Sequence, residues 1–141
     1  MKFSDFAIGD VFTTNKVMME EEEIIQFAKQ YDPQYFHVNK SAAEASPYRS
    51  LIASGFHTIS VVWAEWIKMD ILSEDCLGGI SAQMEWTKPV MPEDELYGKM
   101  TVLEKKESNR GERGLITFEL KVFNQKEACV SKCEMKVFVA N

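Results

Sequence analysis

The run Ser54-Gly55-Phe56-His57-Thr58-Ile59-Ser60-Val61-Val62-Trp63-Ala64-Glu65-Trp66-Ile67 decides the fold. Ser54 stands where a helix N-cap belongs, and the run it opens is predicted as a helix from Phe56 to about Leu72. Phe56, Ile59, Val62, Trp63, Trp66 and Ile67 are apolar, while Glu65, Lys68 and Asp70 bring charge only to the later turns. A helix apolar nearly all round is expected to be wrapped by other elements rather than to lie on a surface. Its first turn presents free N–H groups and a positive dipole end, which suit a developing oxyanion.

The wrapping material is predicted downstream. Ile80 to Trp86, Leu96 to Lys105, Gly114 to Asn124 and Ala128 to Ala140 alternate and are rich in β-branched and aromatic residues. Turn signals at Gly78-Gly79, Pro89 to Asp94, Ser108 to Gly114 and Asn124 to Glu127 punctuate them. Four strands in series read as an antiparallel meander, and Val11 to Val17 reads as a further edge strand. About five strands curled round one long central helix make an α+β arrangement, the hot-dog architecture.

Upstream, Glu20 to Glu23 place negative charge at the start of a helix carried by Ile24, Ile25, Phe27, Ala28 and Tyr31. Pro33 ends it, and residues 39–45 read as a second, short helix broken by Ser46-Pro47. Between them, Asp32-Pro33-Gln34-Tyr35-Phe36-His37 sets an acid and an imidazole five positions apart in a run read as non-helical. Fully extended, that spacing is roughly 16 Å, so the run has to turn back before both groups can reach one substrate.

Composition bounds the rest. The chain has 141 residues, 45% of them hydrophobic and 27% charged, which fits one soluble domain spanning 1–141. Its net charge of −6, with Lys and Arg dispersed, argues against a nucleic-acid surface. No stretch reaches the ~20 apolar residues of a membrane span, and none at the N-terminus resembles a signal peptide, so a cytoplasmic location is expected. The three cysteines, Cys76, Cys129 and Cys133, read as reduced thiols, the last two on one strand face at i and i+4. With only His37 and His57 to join them, no metal site and no cofactor are expected.

Tyr31-Asp32-Pro33-Gln34-Tyr35-Phe36-His37, then Ala42 and Ala43, then Leu51-Ile52-Ala53-Ser54-Gly55, together resemble the hydratase motif of the MaoC-like dehydratase family. Trp86-Thr87-Lys88-Pro89-Val90-Met91-Pro92-Glu93-Asp94-Glu95-Leu96 is similar to that family's strand-turn-strand segment. The family includes the (R)-specific enoyl-CoA hydratases and has the hot-dog fold. The resemblance implies that Asp32 and His37 are the acid/base pair and that Gly55 donates its backbone N–H to a thioester oxygen. It further implies a hydratase or dehydratase acting on a 2-enoyl thioester of coenzyme A or acyl carrier protein, in a homodimer or higher homo-oligomer. Ser54, Phe56 and Trp63 are candidates for substrate contact, and Arg49 and Lys88 for a coenzyme A phosphate.

Other readings stand beside these. Asp32 alone would serve as the cap of a turn, and His57 as a packing residue. The same fold could carry a thioesterase or a non-catalytic acyl-CoA-binding subunit. Gln34, where the best-characterised hydratases have Asn, and bulky Trp63 are where the chain departs from the family pattern.

Overall fold

The computed structural model describes residues 1–109 and 111–141. Its architecture follows from where each helix is forced to stop. Helix α1 spans Glu21–Tyr31, buries Ile24 and Ala28 one turn apart, and carries Glu21 to Glu23 at the positive end of its dipole. The Asp32 N–H closes it on the Ala28 carbonyl at 2.8 Å, and Pro33 then denies it a further donor.

The segment after Pro33 departs from the sequence reading. Tyr35–Val38 form a short helix, α2, instead of a non-helical run. Pro33 disfavours helical geometry only at the residue before it, so a new turn can start two positions later. The His37 N–H bonds the Gln34 carbonyl at 2.9 Å, which supplies the reversal the spacing demanded. Helix α3, Lys40–Glu44, follows, with the Asn39 side chain accepting from the Ala42 N–H at 2.9 Å.

Helix α4, Gly55–Lys68, is the central element. It ends short of Leu72 because Asp70 and Ser73 take left-handed φ values of 56° and 46°, which no helix continues through. Ile59, Val62 and Trp66 face the sheet, where Trp66 packs on Phe12 and Phe118 with ring centroids 5.5 and 5.8 Å apart. Gly98 lets the helix come close: a Cβ there would lie 2.6 Å from Val62 Cγ1 and 2.7 Å from Leu120 Cδ1.

The sheet contains six strands among the described residues: β1 Val11–Thr13, β2 Val17–Met18, β3 Cys76–Trp86, β4 Glu95–Glu107, β5 Arg113–Phe123 and β6 Cys129–Ala140. The single N-terminal strand expected over 11–17 is two pieces, because Thr14 turns the chain by bonding Gly98 through both its N–H and its hydroxyl. Alternating burial puts Met100 and Val102 of β4, Phe118 and Leu120 of β5, and Val137 and Val139 of β6 into one core beneath α4. This is the hot-dog arrangement, an antiparallel sheet around a central helix.

Strand order is β1-β4-β5-β6-β3, with β2 also on β4. The meander is therefore limited to β4, β5 and β6, and β3 lies at the far edge beside β6, not beside β4. The chain crosses between those edges through residues 87–94, a segment that builds part of the site. Strand β3 also runs through Gly78-Gly79, where two register shifts, one on each side of the pair, take the irregularity up without ending the strand. A similar shift at Val130 takes Cys129 out of step with buried Cys133 in β6; all three cysteines are free thiols. The turn expected over residues 108–114 includes position 110, which lies outside the described residues.

One expectation about α4 is corrected. Phe56, Ser60, Ala64 and Ile67 form an exposed stripe along it, with Phe56 at 50% and Ile67 at 47% exposure, so the helix is wrapped on one side only. Strand β3 is exposed over most of its length on both faces, and Trp86 at its end meets Phe56 edge-on at 5.2 Å. No helix among the described residues is long and apolar enough to cross a membrane.

Candidate active site

Three elements converge where α1 ends, α2 reverses and α4 begins. Asp32, at the end of α1, has both carboxylate oxygens engaged: Gln34 Nε2 donates to Oδ1 at 2.9 Å and Ser54 Oγ donates to Oδ2 at 2.7 Å. His37 Nε2 stands 3.4 Å from the same Oδ2. Burial pulls the Asp32 pKa upward, but the two hydrogen bonds and the adjacent imidazole outweigh it and hold the carboxyl below its ordinary range.

His37 is 4% exposed, and its Nδ1 lies 2.7 Å from the Ile52 carbonyl. A carbonyl only accepts, so Nδ1 carries a proton and donates it to Ile52, which turns Nε2 toward Asp32. The Ile52 N–H in turn bonds the Phe36 carbonyl at 3.1 Å, stitching the 51–53 segment to α2.

Ser54 stands at the N-cap of α4 as expected, yet its side chain caps nothing. The hydroxyl goes to Asp32 instead. The first helical bond runs from the Thr58 N–H to the Ser54 carbonyl at 3.1 Å, so the amides of Gly55, Phe56 and His57 have no acceptor within the helix. Uncapped amides at a helix N-terminus attract negative charge.

A cleft of about 430 Å³ joins these groups; Asp32, His37, Gly55, Phe56, Trp86 and Lys88 are among its walls. The crossing segment 87–94 closes one side, tied down by the Ala53 N–H on the Val90 carbonyl at 2.8 Å. Phe36 and Tyr48, in edge contact at 5.3 Å, close another. That size suits a small ligand's reacting end.

A family model described as the MaoC like domain matches residues 4–122. The chain belongs to the MaoC-like family. The Bacillus subtilis protein YdeM, itself uncharacterized, is 36% identical to this MaoC-like protein over 140 residues, covering 99% of both chains. The MaoC-like dehydratase from Rhodospirillum rubrum is 30% identical, with a TM-score of 0.93 over 100% of this chain and 97% of that one. R-hydratase PhaJ1 from Pseudomonas aeruginosa shares the fold at 19% identity, with a TM-score of 0.79 over 98% of this chain and 84% of its own.

The remaining candidates in this MaoC-like protein fall in different places. Phe56 stands at the rim of the cleft and Lys88 on its wall. Ser54 is wholly buried and touches Asp32, not the open space. Trp63 packs half-buried against the core, outside the cleft lining. Arg49, at a left-handed φ of 56°, lines a separate cleft with Glu20, Glu21, Glu44 and Glu93. Sequence reasoning missed Gln34, Ile52 and Trp86. Gln34 was visible as a departure from the family pattern, but its bond to Asp32 needs the turn at Pro33; nothing in the sequence pointed to the Ile52 carbonyl. Among the described residues no group of three His, Cys, Asp or Glu could hold a metal.

His57, one turn into α4, is a buried packing residue in this structure. Its ring stacks on Phe27 at 4.5 Å and 7°, and its Nδ1 has no hydrogen-bond partner. Burial lowers its pKa, so the folded state takes up a proton less readily than the unfolded chain, whose imidazole titrates near 6.5. The stability it contributes is whole above that value and is lost as pH falls toward the depressed folded value. His57→Phe keeps the stack and removes the penalty. The difference in Tm between pH 8 and pH 5.5 is expected to be smaller in His57→Phe than in the parent; an equal difference would place the acid sensitivity elsewhere.

Proposed function

We propose that this protein catalyses reversible addition of water across the α,β double bond of a 2-enoyl thioester, giving a 3-hydroxyacyl thioester. The observation that supports it is the meeting, in one cleft, of an ionised carboxylate, an imidazole whose Nε2 faces that carboxylate and the uncapped amide of Gly55. Each answers one demand of the reaction. A water held between Asp32 Oδ2 and His37 Nε2 gives one hydrogen to each. As its oxygen bonds the β-carbon, His37 Nε2 takes one proton, and the double-bond electrons move to the α-carbon and thioester oxygen.

The Gly55 N–H meets the charge on that oxygen, a contribution on the order of 3 kcal/mol for one such donor. The imidazolium then returns its proton to the α-carbon. Asp32 stays ionised throughout, orienting the water and stabilising the imidazolium. Dehydration is the same path reversed. Lys88, on the cleft wall, is proposed to meet a coenzyme A phosphate. The direct test offers purified protein crotonyl-CoA and follows loss of the conjugated absorbance, with a thiol-trapping reagent in a parallel assay. Loss of absorbance without free thiol supports the proposal. Loss of absorbance matched by an equal amount of free thiol would assign a thioesterase, and neither signal would remove the enzymatic reading.

The partner expected is a second copy. Strand β3 is an unpaired edge of eleven residues with no Lys or Pro and Glu85 as its one charge, lacking the usual protections of a free edge. By register, Ala82, Met84 and Trp86 share the face of buried Met135, Cys133 and Ser131, beside the exposed stripe of α4. A two-fold axis along this edge would pair β3 with its copy and cover Ile80, which is 55% exposed. Ile80→Lys is expected to yield a monomer by sedimentation velocity where the parent sediments as a dimer. A parent that is already monomeric would end this assignment.

A further inference from the structure

The face of Gly55 is already occupied. A Cβ on Gly55 would lie 2.2 Å from Trp86 Nε1, 2.3 Å from Cε2 and 2.5 Å from Cδ1. Three nearly equal distances mean that the Gly55 flank meets the flat face of the pyrrole ring, since an approach to its rim would leave one atom much nearer than the other two. The ring also meets Phe56 edge-on, with centroids 5.2 Å apart and an interplanar angle of 72°. Its backbone is anchored at the end of β3 opposite Ser131, and both Trp86 and Gly55 line the cleft. A glycine beside a donor amide would ordinarily leave room for a thioester to approach. The space a side chain would fill holds an indole instead.

We propose that Gly55 and Trp86 work as one device: the indole is a fixed cover on the amide end of α4, and position 55 is glycine because the cover lies on it. Trp86 is a positioning residue. It shields one flank of the Gly55 amide from bulk water, so that a carbonyl reaching that amide from the cleft meets a donor in a less screened setting. The inference rests on the proposed oxyanion role of the Gly55 amide. It adds a reason why an exposed aromatic pair stands beside that amide.

The test is a double-mutant cycle with a second, activity-independent readout. Trp86→Ala is expected to lower kcat for crotonyl-CoA by about tenfold with a smaller change in KM, less than the roughly 10²–10³-fold loss of a donor itself. Trp86→Phe, which keeps a flat ring on Gly55, should recover most of that loss. Gly55→Ala should cost heavily in the parent but less than about threefold in the Trp86→Ala background. An equal cost in both backgrounds would mean that the glycine is there for the substrate and would overturn the proposal, as would a Trp86→Ala enzyme with unchanged kcat.

The second readout is the Trp86 emission, taken as the difference between each protein and its Trp86→Phe counterpart. Gly55→Ala must push the ring off its seat and shift that emission to longer wavelength. An unshifted spectrum overturns the device whatever the activity. If crotonyl-CoA is not hydrated at all while the shift is present, the hydratase reading fails and the Gly55–Trp86 pairing stands.

Discussion

Asp32→Asn and His37→Gln are each expected to lower hydration of crotonyl-CoA by about 10²–10⁴-fold while the protein remains folded. The two substitutions remove different things. In His37→Gln the amide can still bond the Ile52 carbonyl, so the segment from 51 to 53 stays in place, but no group accepts a proton from water. In Asp32→Asn the negative charge beside the imidazole is gone, and one of the two donors, Ser54 or Gln34, meets an NH2 group where its acceptor oxygen was.

Groups that act as a unit do not add, so the double variant should be no slower than the slower single one. Asp32 is held ionised below the usual carboxylate range, so its protonation can limit the rate only at the acid extreme. Its contribution to stability has the same sign: present above its unfolded pKa, and lost as pH falls through the lowered folded value. A pair of variants with near-parent turnover would take the dyad out of the reaction, whatever the fold.

Trp66→Ala is expected to cost about 3–5 kcal/mol of folding free energy. That is a large part of the ~5–15 kcal/mol a domain of this kind holds. Trp66 is 1% exposed and joins α4 to the sheet through Phe12 and Phe118, so no neighbour can collapse into the space without moving the helix. Its indole Nε1 has no hydrogen-bond partner, so Trp66→Phe forfeits volume but no hydrogen bond and should cost clearly less. Urea unfolding checks both through the shift of the midpoint at constant slope. Equal losses in the two variants would mean that the ring's size carries little of the stability.

Much of this was legible from local pattern. The 3.6-residue spacing of apolar side chains, the Pro33 stop and the alternation of the later strands are one-dimensional signals, and each marked the element that formed. The place of β3 was not legible. Its alternation states that it is a strand but not which neighbour it takes, and pairing with β6 is decided by a crossing segment whose path depends on Ala53 and Met19 holding it down.

The half-open flank of α4 was hidden for a related reason: an all-apolar helix reads the same whether its own sheet or a second chain covers it. Among the candidates, Asp32, His37 and Gly55, which line one cleft, stood out in the sequence because acid, imidazole and glycine are distinctive in such a run. Gln34, Ile52 and Trp86 act through a turn, a main-chain carbonyl and a ring face, and residue type alone carries none of these.

The two halves of the dyad differ in what keeps them aligned. Asp32 is oriented by side chains at 34 and 54, so drift at either position can retune or disable the carboxylate. His37 is oriented by the main chain at 52, which every amino acid supplies, so its tautomer is insulated from sequence change there. Evolution in such a scaffold would be free to adjust the carboxylate while inheriting the imidazole unaltered, and diversification of chemistry among descendants should begin on the carboxylate side.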